Sequence, residues 1–276
     1  MTQADRCFID TCRQILDHGW SDQDVAVRTR WPDGSPAHTR KAFGIVNRYQ
    51  LDEGFPMLTL RRVPFSTLVK EILWIWVQRS NRVEDLGAKI WDAWADEEGT
   101  IGRAYGYQLG VRHHYPEGDF DQVERVLYDL KHNRYSRRIL TSLYNHHDLH
   151  QMRLYPCAWS LTLNVCGDRL NAILNQRSQD MLAANAFNVA QYAVLVHMFA
   201  RVSGLKPGEL VHVIADAHIY DRHEDIVREL IERPGFAAPT LEIDPTITDF
   251  FAYRLEHFAL RDYKHGPAIP RFEVAI

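Results

Sequence analysis

The sequence predicts an α+β fold: a single mixed domain over residues 1–276, with a large mostly antiparallel or mixed sheet packed by a central buried helix. Three observations carry this. Strand-like and helix-like segments do not alternate regularly, as a doubly wound sheet would require. Trp159–Cys166 alternates, turns at Gly167-Asp168 and returns through Leu170, Ala172 and Leu174, which reads as a hairpin. Asn185–Ser203 is apolar nearly all round, the pattern of a helix buried on every side. No repeat, Gly/Ser linker or shift in composition divides the 276 residues, so one domain is the default. Hydrophobic residues make up 46% and charged residues 25%, which excludes a disordered or collagenous chain. The net charge of −4 excludes a broadly basic nucleic-acid surface, so any anion site must be local.

The remaining elements follow in order. Cys7 and Cys12 fall in an N-terminal helical segment and read as small apolar residues. Trp31–Ala37 (W-P-D-G-S-P-A) is rich in turn residues and reads as a surface loop. Arg40 to Gln50 reads as a strand ending before Asp52-Glu53-Gly54. Pro64 suits the first turn of a helix reaching about Arg79, with Phe65, Leu68, Val69, Ile72, Leu73 and Trp76 at helical spacing. Asp119 to Asn133 is a more polar helix, and Arg138–Tyr144 a strand. Gly204 and Pro207 end the central helix. Leu210–Ala215 is a strand and Arg222–Arg233 a helix. There is no early apolar signal segment and no run of eighteen apolar residues. The most apolar stretch is interrupted by Asn188, Gln191, His197 and Arg201. Four cysteines without paired spacing suit reduced thiols and a cytoplasmic protein.

A few residues stand out chemically. Cys157 follows Tyr155-Pro156 at the start of the hairpin, and the returning strand ends at Gln176-Arg177-Ser178. Arg177 can therefore lie beside Cys157 and act as the cation that a reactive thiol needs. Glu71 sits among Leu68, Trp74 and Ile75, where burial would raise its pKa toward a proton-transfer role; a helix-flank ion pair is the alternative. Asn188 near the start of the central helix is either a cap or an amide that reads a pyrimidine edge. Arg137-Arg138, with Arg134 nearby, is either a solvated edge or a phosphate site. Cys166 ends a strand and reads as structural. His113-His114 and His146-His147-Asp148-Leu149-His150 match no zinc spacing, so no metal is expected. The common glycine-rich nucleotide loops are absent.

Taken together, Tyr155-Pro-Cys-Ala158, Gln176-Arg-Ser-Gln-Asp180, Phe187-Asn-Val-Ala-Gln-Tyr192 and Asp216-Ala-His-Ile-Tyr220 resemble folate-dependent thymidylate synthases. Glu71–Trp76, Ile90–Trp94, Ile101–Gly106, Ser136–Arg138 and Phe272–Ile276 fall in family order, so the resemblance spans the chain. The loop Asp33–Thr39 looks like the variety found in some bacilli. The resemblance implies a homodimer that packs sheet to sheet and shares its active sites. It also implies reductive methylation of dUMP to dTMP, with 5,10-methylenetetrahydrofolate giving both carbon and hydride and leaving as dihydrofolate. On this reading Cys157 attacks C6 of the base. Glu71 and Tyr105 manage protons, and Asn188 reads the base. Arg28, Arg177 and Ser178 hold the phosphate, joined by Arg137 and Arg138 from the partner. His218 and Tyr220 contact the ribose. On the folate side stand Asp180, Trp91, Arg61, Arg62 and the closing terminus at Ile276.

Four positions depart from the family's pattern. Ala158 replaces the usual His, as in the bacillus-like variety. Ala184 stands where Gly is usual, Ala186 where Pro is usual, and Ala215 where Gly is usual. Two other readings keep these residues. A folate-dependent nucleotide hydroxymethylase would add water in place of hydride; Asn188, rather than Asp, then points to a uracil substrate. A non-catalytic nucleotide- or RNA-binding protein on the same fold is the third, and RNA binding is not legible in these residues.

Overall fold

The computed structural model describes residues 1–276. Helix α1 (Gln3–His18) opens with a capping box, in which Thr2 and Asp5 satisfy each other's backbone N–H groups. Strands β1 (Trp20–Ser21) and β2 (Thr39–Gln50) follow, then helices α2 (Phe65–Leu73), α3 (Val83–Leu86) and α4 (Gly106–Gly110). Strands β3 (His113–Tyr115) and β4 (Gly118–Phe120) form a small antiparallel ribbon before α5 (Gln122–His132). Next come β5 (Leu140–Ser142), β6 (Ala158–Cys166), β7 (Arg169–Gln176), β8 (Gln179–Asp180), α6 (Asn185–Val202) and β9 (Lys206–Tyr220). Helix α7 (Glu224–Ile231) and an antiparallel ribbon of β10 (Thr240–Ile243) and β11 (Phe258–Arg261) complete the chain.

The main sheet runs β1-β2-β9-β7-β6-β5, with β8 beside β9. β9 pairs parallel to β7 and β8, and every other pair is antiparallel, so the sheet is mixed as expected. The expected hairpin is present, with Cys166 opposite Arg169. α6 is the central helix, and its Ala193, Val194, Leu195 and Val196 are fully buried. A single cluster of 65 buried apolar residues joins α1, α2, α6 and one face of the sheet into one core.

The other face of the sheet carries Phe43, Val46, Leu140, Trp159 and Ile173 exposed to solvent, Phe43 at 89%. Burial along the strands has period two with a three-residue step at one level. In β9 the fully buried positions are Leu210, His212 and Ile214, then Ala217 and Ile219. In β6 they step from Ala158 to Leu161, where a bulge interrupts the register. Gly44 of β2 lies level with Ala215 and has φ +76°. An interruption of this kind bends strands and re-aims side chains. Residues 157, 177, 216, 218 and 220 all lie just beyond this crease.

Several expectations are revised. The strand expected over 210–215 runs from 206 to 220, because Asp216 and His218 face a polar site and so break the apolar pattern. The helix expected from Pro64 to Arg79 is α-helical only to Leu73. It then widens into a π-turn over Trp74–Gln78 and ends at Arg79 in the left-handed region. Of the strand expected over 138–144, only 140–142 pairs. Trp31–Ala37 is a turn, yet both its ends are buried. Trp31 Nε1 donates to Asp221, and Arg222 lies over its ring while binding Asp33 and Glu273. The two-way backbone pairing of Arg30 with Ile276 ties the last residue to the same loop. Asp148, within the histidine-rich run, is buried on Arg103, Gln108 and Asn145, a structural hub. No three His, Cys, Asp or Glu side chains converge as a metal site would need. No helix is long and apolar enough to cross a membrane.

Candidate active site

The β6–β7 ladder ends with Ala158 opposite Gln176, which sets Cys157 against Arg177. The Arg177 backbone N–H donates to Cys157 O at 2.9 Å. Its guanidinium folds back, donating through Nε to Pro156 O (3.1 Å) and through Nη2 to Tyr155 O (2.7 Å). Nη2 also lies 3.8 Å from Cys157 Sγ, so the expected cation is in place. It does not win, however. Burial pushes the thiol above its ordinary value and outweighs the pull of Arg177. Alkylation of Cys157 by iodoacetamide, followed by peptide mass to separate it from exposed Cys166, should therefore rise through and beyond the usual thiol range. Arg177→Ala should move the midpoint higher still. A midpoint below that of free cysteine would contradict this balance.

The Cys157 backbone N–H donates to the hydroxyl of Tyr105 at 3.1 Å. Tyr105 has φ +46° and ψ −106°, an unfavourable conformation for a residue with a Cβ. Burial raises its phenol well above the ordinary range, so it stays protonated. Its ring meets Trp91 edge-on at 5.3 Å. Trp91 Nε1 donates to Glu71 Oε1 at 2.7 Å, and Gln191 Nε2 donates to Glu71 Oε2 at 2.6 Å. Glu71 is thus not paired to a cation. Burial raises its pKa, and these two donors hold the rise back.

Asn188 lies inside α6, four residues past the Ala184 cap, so it is not the helix cap. Its Oδ1 accepts from Gln176 Nε2 (3.1 Å) and Gln179 Nε2 (3.3 Å), and its Nδ2 donates to Gln191 Oε1 (3.5 Å). Gln176 Oε1 pairs with Nε2 of His212, a buried ring whose pKa burial lowers to about 3. Gln176, Gln179, Gln191 and His212 complete this hydrogen-bond network, and residue-by-residue reasoning did not single them out. The one signal was Gln191 interrupting an apolar run.

On the far side of Cys157, His218 Nδ1 pairs with Asp216 Oδ1 at 2.8 Å. The His218 ring lies 5.2 Å from Tyr220. Burial pushes Tyr220 up to about 12, and exposed Arg28 is among the charges acting on it. Asp180 Oδ1 caps the backbone N–H groups of Leu182 and Ala183. Ser178 is half-buried beside Arg177. Ala184 has φ −114°, a region open to any residue, so its methyl needs no backbone strain.

Four candidates lie apart from this cluster. Arg61 is buried, with Nη2 on Leu182 O at 2.8 Å, so its guanidinium anchors the chain; Arg62 beside it is exposed. Arg137 and Arg138 are exposed and carry no side-chain hydrogen bond or ion pair. Leu140 pairs with Thr162, so Arg138 is level with Asn164, seven residues along β6 from Cys157. At ~3.3 Å per residue that is roughly 20 Å, beyond the reach of an arginine side chain.

A family model described as Thymidylate synthase matches residues 6–276. The chain belongs to the thymidylate synthase family. Thymidylate synthase activity, a methyl transfer, is the function that this membership carries. Thymidylate synthase from Bacillus subtilis subsp. natto is 42% identical over 281 residues, covering 100% of both chains. That from Bacillus phage phi3T matches equally, 42% over 100% of both. Among solved structures, thermostable thymidylate synthase A from Bacillus subtilis superposes with a TM-score of 0.94 at 40% identity, covering 99% of each chain.

Proposed function

We propose that the chain catalyses reductive methylation of dUMP to dTMP, with 5,10-methylenetetrahydrofolate donating both the carbon and the hydride. The observation that carries this is one continuous set of contacts. It runs from Cys157 and Arg177 through Tyr105, Trp91, Glu71 and Gln191 to Asn188. This continuity supports reading Cys157 as the nucleophile, Glu71 as the proton-transfer carboxyl and Asn188 as the base-reading amide of one site. Cys157 Sγ adds to C6 of the pyrimidine, which makes C5 nucleophilic toward the folate-borne carbon. Glu71, its pKa raised by burial, relays protons at O4 and C5 together with Tyr105. Asn188 pairs with O4 and N3–H. Loss of the C5 proton and breaking of the bond between the transferred carbon and the folate nitrogen leave an exocyclic methylene. Hydride from the resulting tetrahydrofolate completes the methyl group, Cys157 Sγ leaves C6, and dTMP and dihydrofolate are released.

Arg177 has Nη1 left to bind the phosphate, joined by Ser178 and Arg28. His218 and Tyr220 take the ribose hydroxyl, with Asp216 fixing the imidazole. Trp91 and Asp180 border the folate, Arg62 meets its acidic tail, and the terminus at Ile276 covers both substrates. Arg61 supports this side through Leu182. The protein works in the cytoplasm, as a homodimer. Exposed Phe43, Val46, Leu140, Trp159 and Ile173 give that sheet face a reason to be covered. Arg137 and Arg138, out of reach of their own Cys157, fit a phosphate in the partner's site.

The direct test is incubation with dUMP and methylenetetrahydrofolate, following dihydrofolate by absorbance and the nucleotide by mass. A methyl product is expected; a hydroxymethyl product, or none, would overturn the proposal. For the shared site, inactive Cys157→Ala and Arg137→Ala chains should recover activity when mixed, since one hybrid site keeps both groups. No recovery despite demonstrated subunit exchange would remove the shared-site claim.

A further inference from the structure

The side-chain amides around Asn188 all run in one direction. Gln176 Nε2 donates to Asn188 Oδ1, Asn188 Nδ2 to Gln191 Oε1, and Gln191 Nε2 to Glu71 Oε2. An amide can be turned end for end at little steric cost, so its neighbours must set its direction. At one end, Gln176 Nε2 also donates to the backbone carbonyl of Ser178, and its Oε1 faces His212 Nε2. Gln179 Nε2 is likewise held by the backbone carbonyl of Asp180. Carbonyls only accept, so neither amide can turn without setting acceptor against acceptor. At the other end, Gln191 Nε2 is held by Glu71 and by the backbone carbonyl of Leu68 at 3.4 Å. Gln191 is 3% exposed and spans the gap between the carboxyl and the base-reading amide without an intervening group.

From this we infer that Gln191 is a positioning residue that ties the direction of the Asn188 amide to the carboxyl of Glu71, and so helps set the choice of uracil over cytosine. This rests on the proposed role of Asn188 as the reader of the base. Uracil offers an acceptor at O4 and a donor at N3; cytosine offers the reverse. The Asn188 amide as held meets uracil, and the same amide turned over meets cytosine. Gln191 has two arms with two separate consequences. Its Oε1 gives Asn188 Nδ2 an acceptor and so opposes the turned form. Its Nε2 stabilises the charged form of Glu71. The other groups facing that carboxyl are Trp91, which donates, and the phenols of Tyr105 and Tyr192, both held protonated by burial. Without Gln191, Trp91 alone would support the charge.

The test is Gln191→Met in the full chain, with kcat/KM measured for dUMP and dCMP across pH. Two results are expected together. The preference for dUMP over dCMP falls by at least about tenfold, the scale of one mispaired buried hydrogen bond. The acid limb of the dUMP profile also moves to higher pH, because a donor to the carboxylate has gone. A merely structural loss would lower both nucleotides alike and leave the limb in place. That outcome, or an unchanged preference, overturns the inference. Should the methionine variant fail to fold, Gln191→Asn carries the same two expectations and the same overturning results, since it stays polar but is one methylene too short to reach both partners. If the unmodified chain makes no dTMP from dUMP, the proposed function fails instead, so the two failures are distinct.

Discussion

A Cys157→Ala chain should lose dTMP formation by at least roughly 10³-fold while still binding dUMP. On the proposed mechanism the thiol supplies the bond that makes C5 nucleophilic, and no second thiol is near it. Cys7 lies against the Arg48 carbonyl on the α1 side, Cys12 is sealed in the core, and Cys166 is at the far end of β6. Arg28, Arg177, His218 and Tyr220, proposed to hold the phosphate and ribose, are untouched, so affinity for the nucleotide should change little. With 5-fluoro-dUMP and folate, the unmodified chain should gain the mass of a covalent adduct and the variant should not. An adduct on the alanine variant would place the nucleophile elsewhere.

The second large effect concerns the base. Each mispaired buried polar group costs ~1–3 kcal/mol. Two mismatches between the Asn188 amide and cytosine thus amount to a preference of roughly 10²- to 10⁴-fold. Asn188→Asp should lower kcat/KM for dUMP and raise it for dCMP. A carboxyl at this position still accepts from Gln176 and Gln179, and it presents an acceptor to the cytosine amino group. The ratio of kcat/KM for the two nucleotides is the measure, because it reports discrimination in the transition state. An unchanged ratio would mean that Asn188 does not read the base.

Local pattern made much of the frame legible. The β6–β7 hairpin and the all-round apolar α6 declare themselves through periodicity, and the approach of Arg177 to Cys157 follows from the hairpin register alone. The rest depends on partners distant in sequence. β9 looked short because polar Asp216 and His218 break the apolar pattern near its end, although Ala217 and Ile219 between and beyond them are buried in the core. Glu71 was seen as anomalous, but its donors lie 20 residues away at Trp91 and 120 away at Gln191. The glutamines around Asn188 carry no spacing signature, since each is held by a backbone carbonyl or by a group from another element. Arg61 and Arg62 are indistinguishable in sequence, and only packing buries one and exposes the other. The thiol of Cys157 was expected to respond to its cation, and a local pattern has no way to weigh burial against it.

Tyr105 places its hydroxyl against the Cys157 backbone only by holding φ at +46°, and such conformations cost ~1–3 kcal/mol. Gly106 after it cannot relieve this by accepting a side chain, because a Cβ there would meet Ser80 O at 2.3 Å. A glycine at 105 would release that strain, yet it would also delete a buried phenol that packs edge-on against Trp91, and truncating a buried aromatic costs ~3–5 kcal/mol. The packing outweighs the strain, so selection for melting temperature and selection for turnover should both keep the ring at this codon.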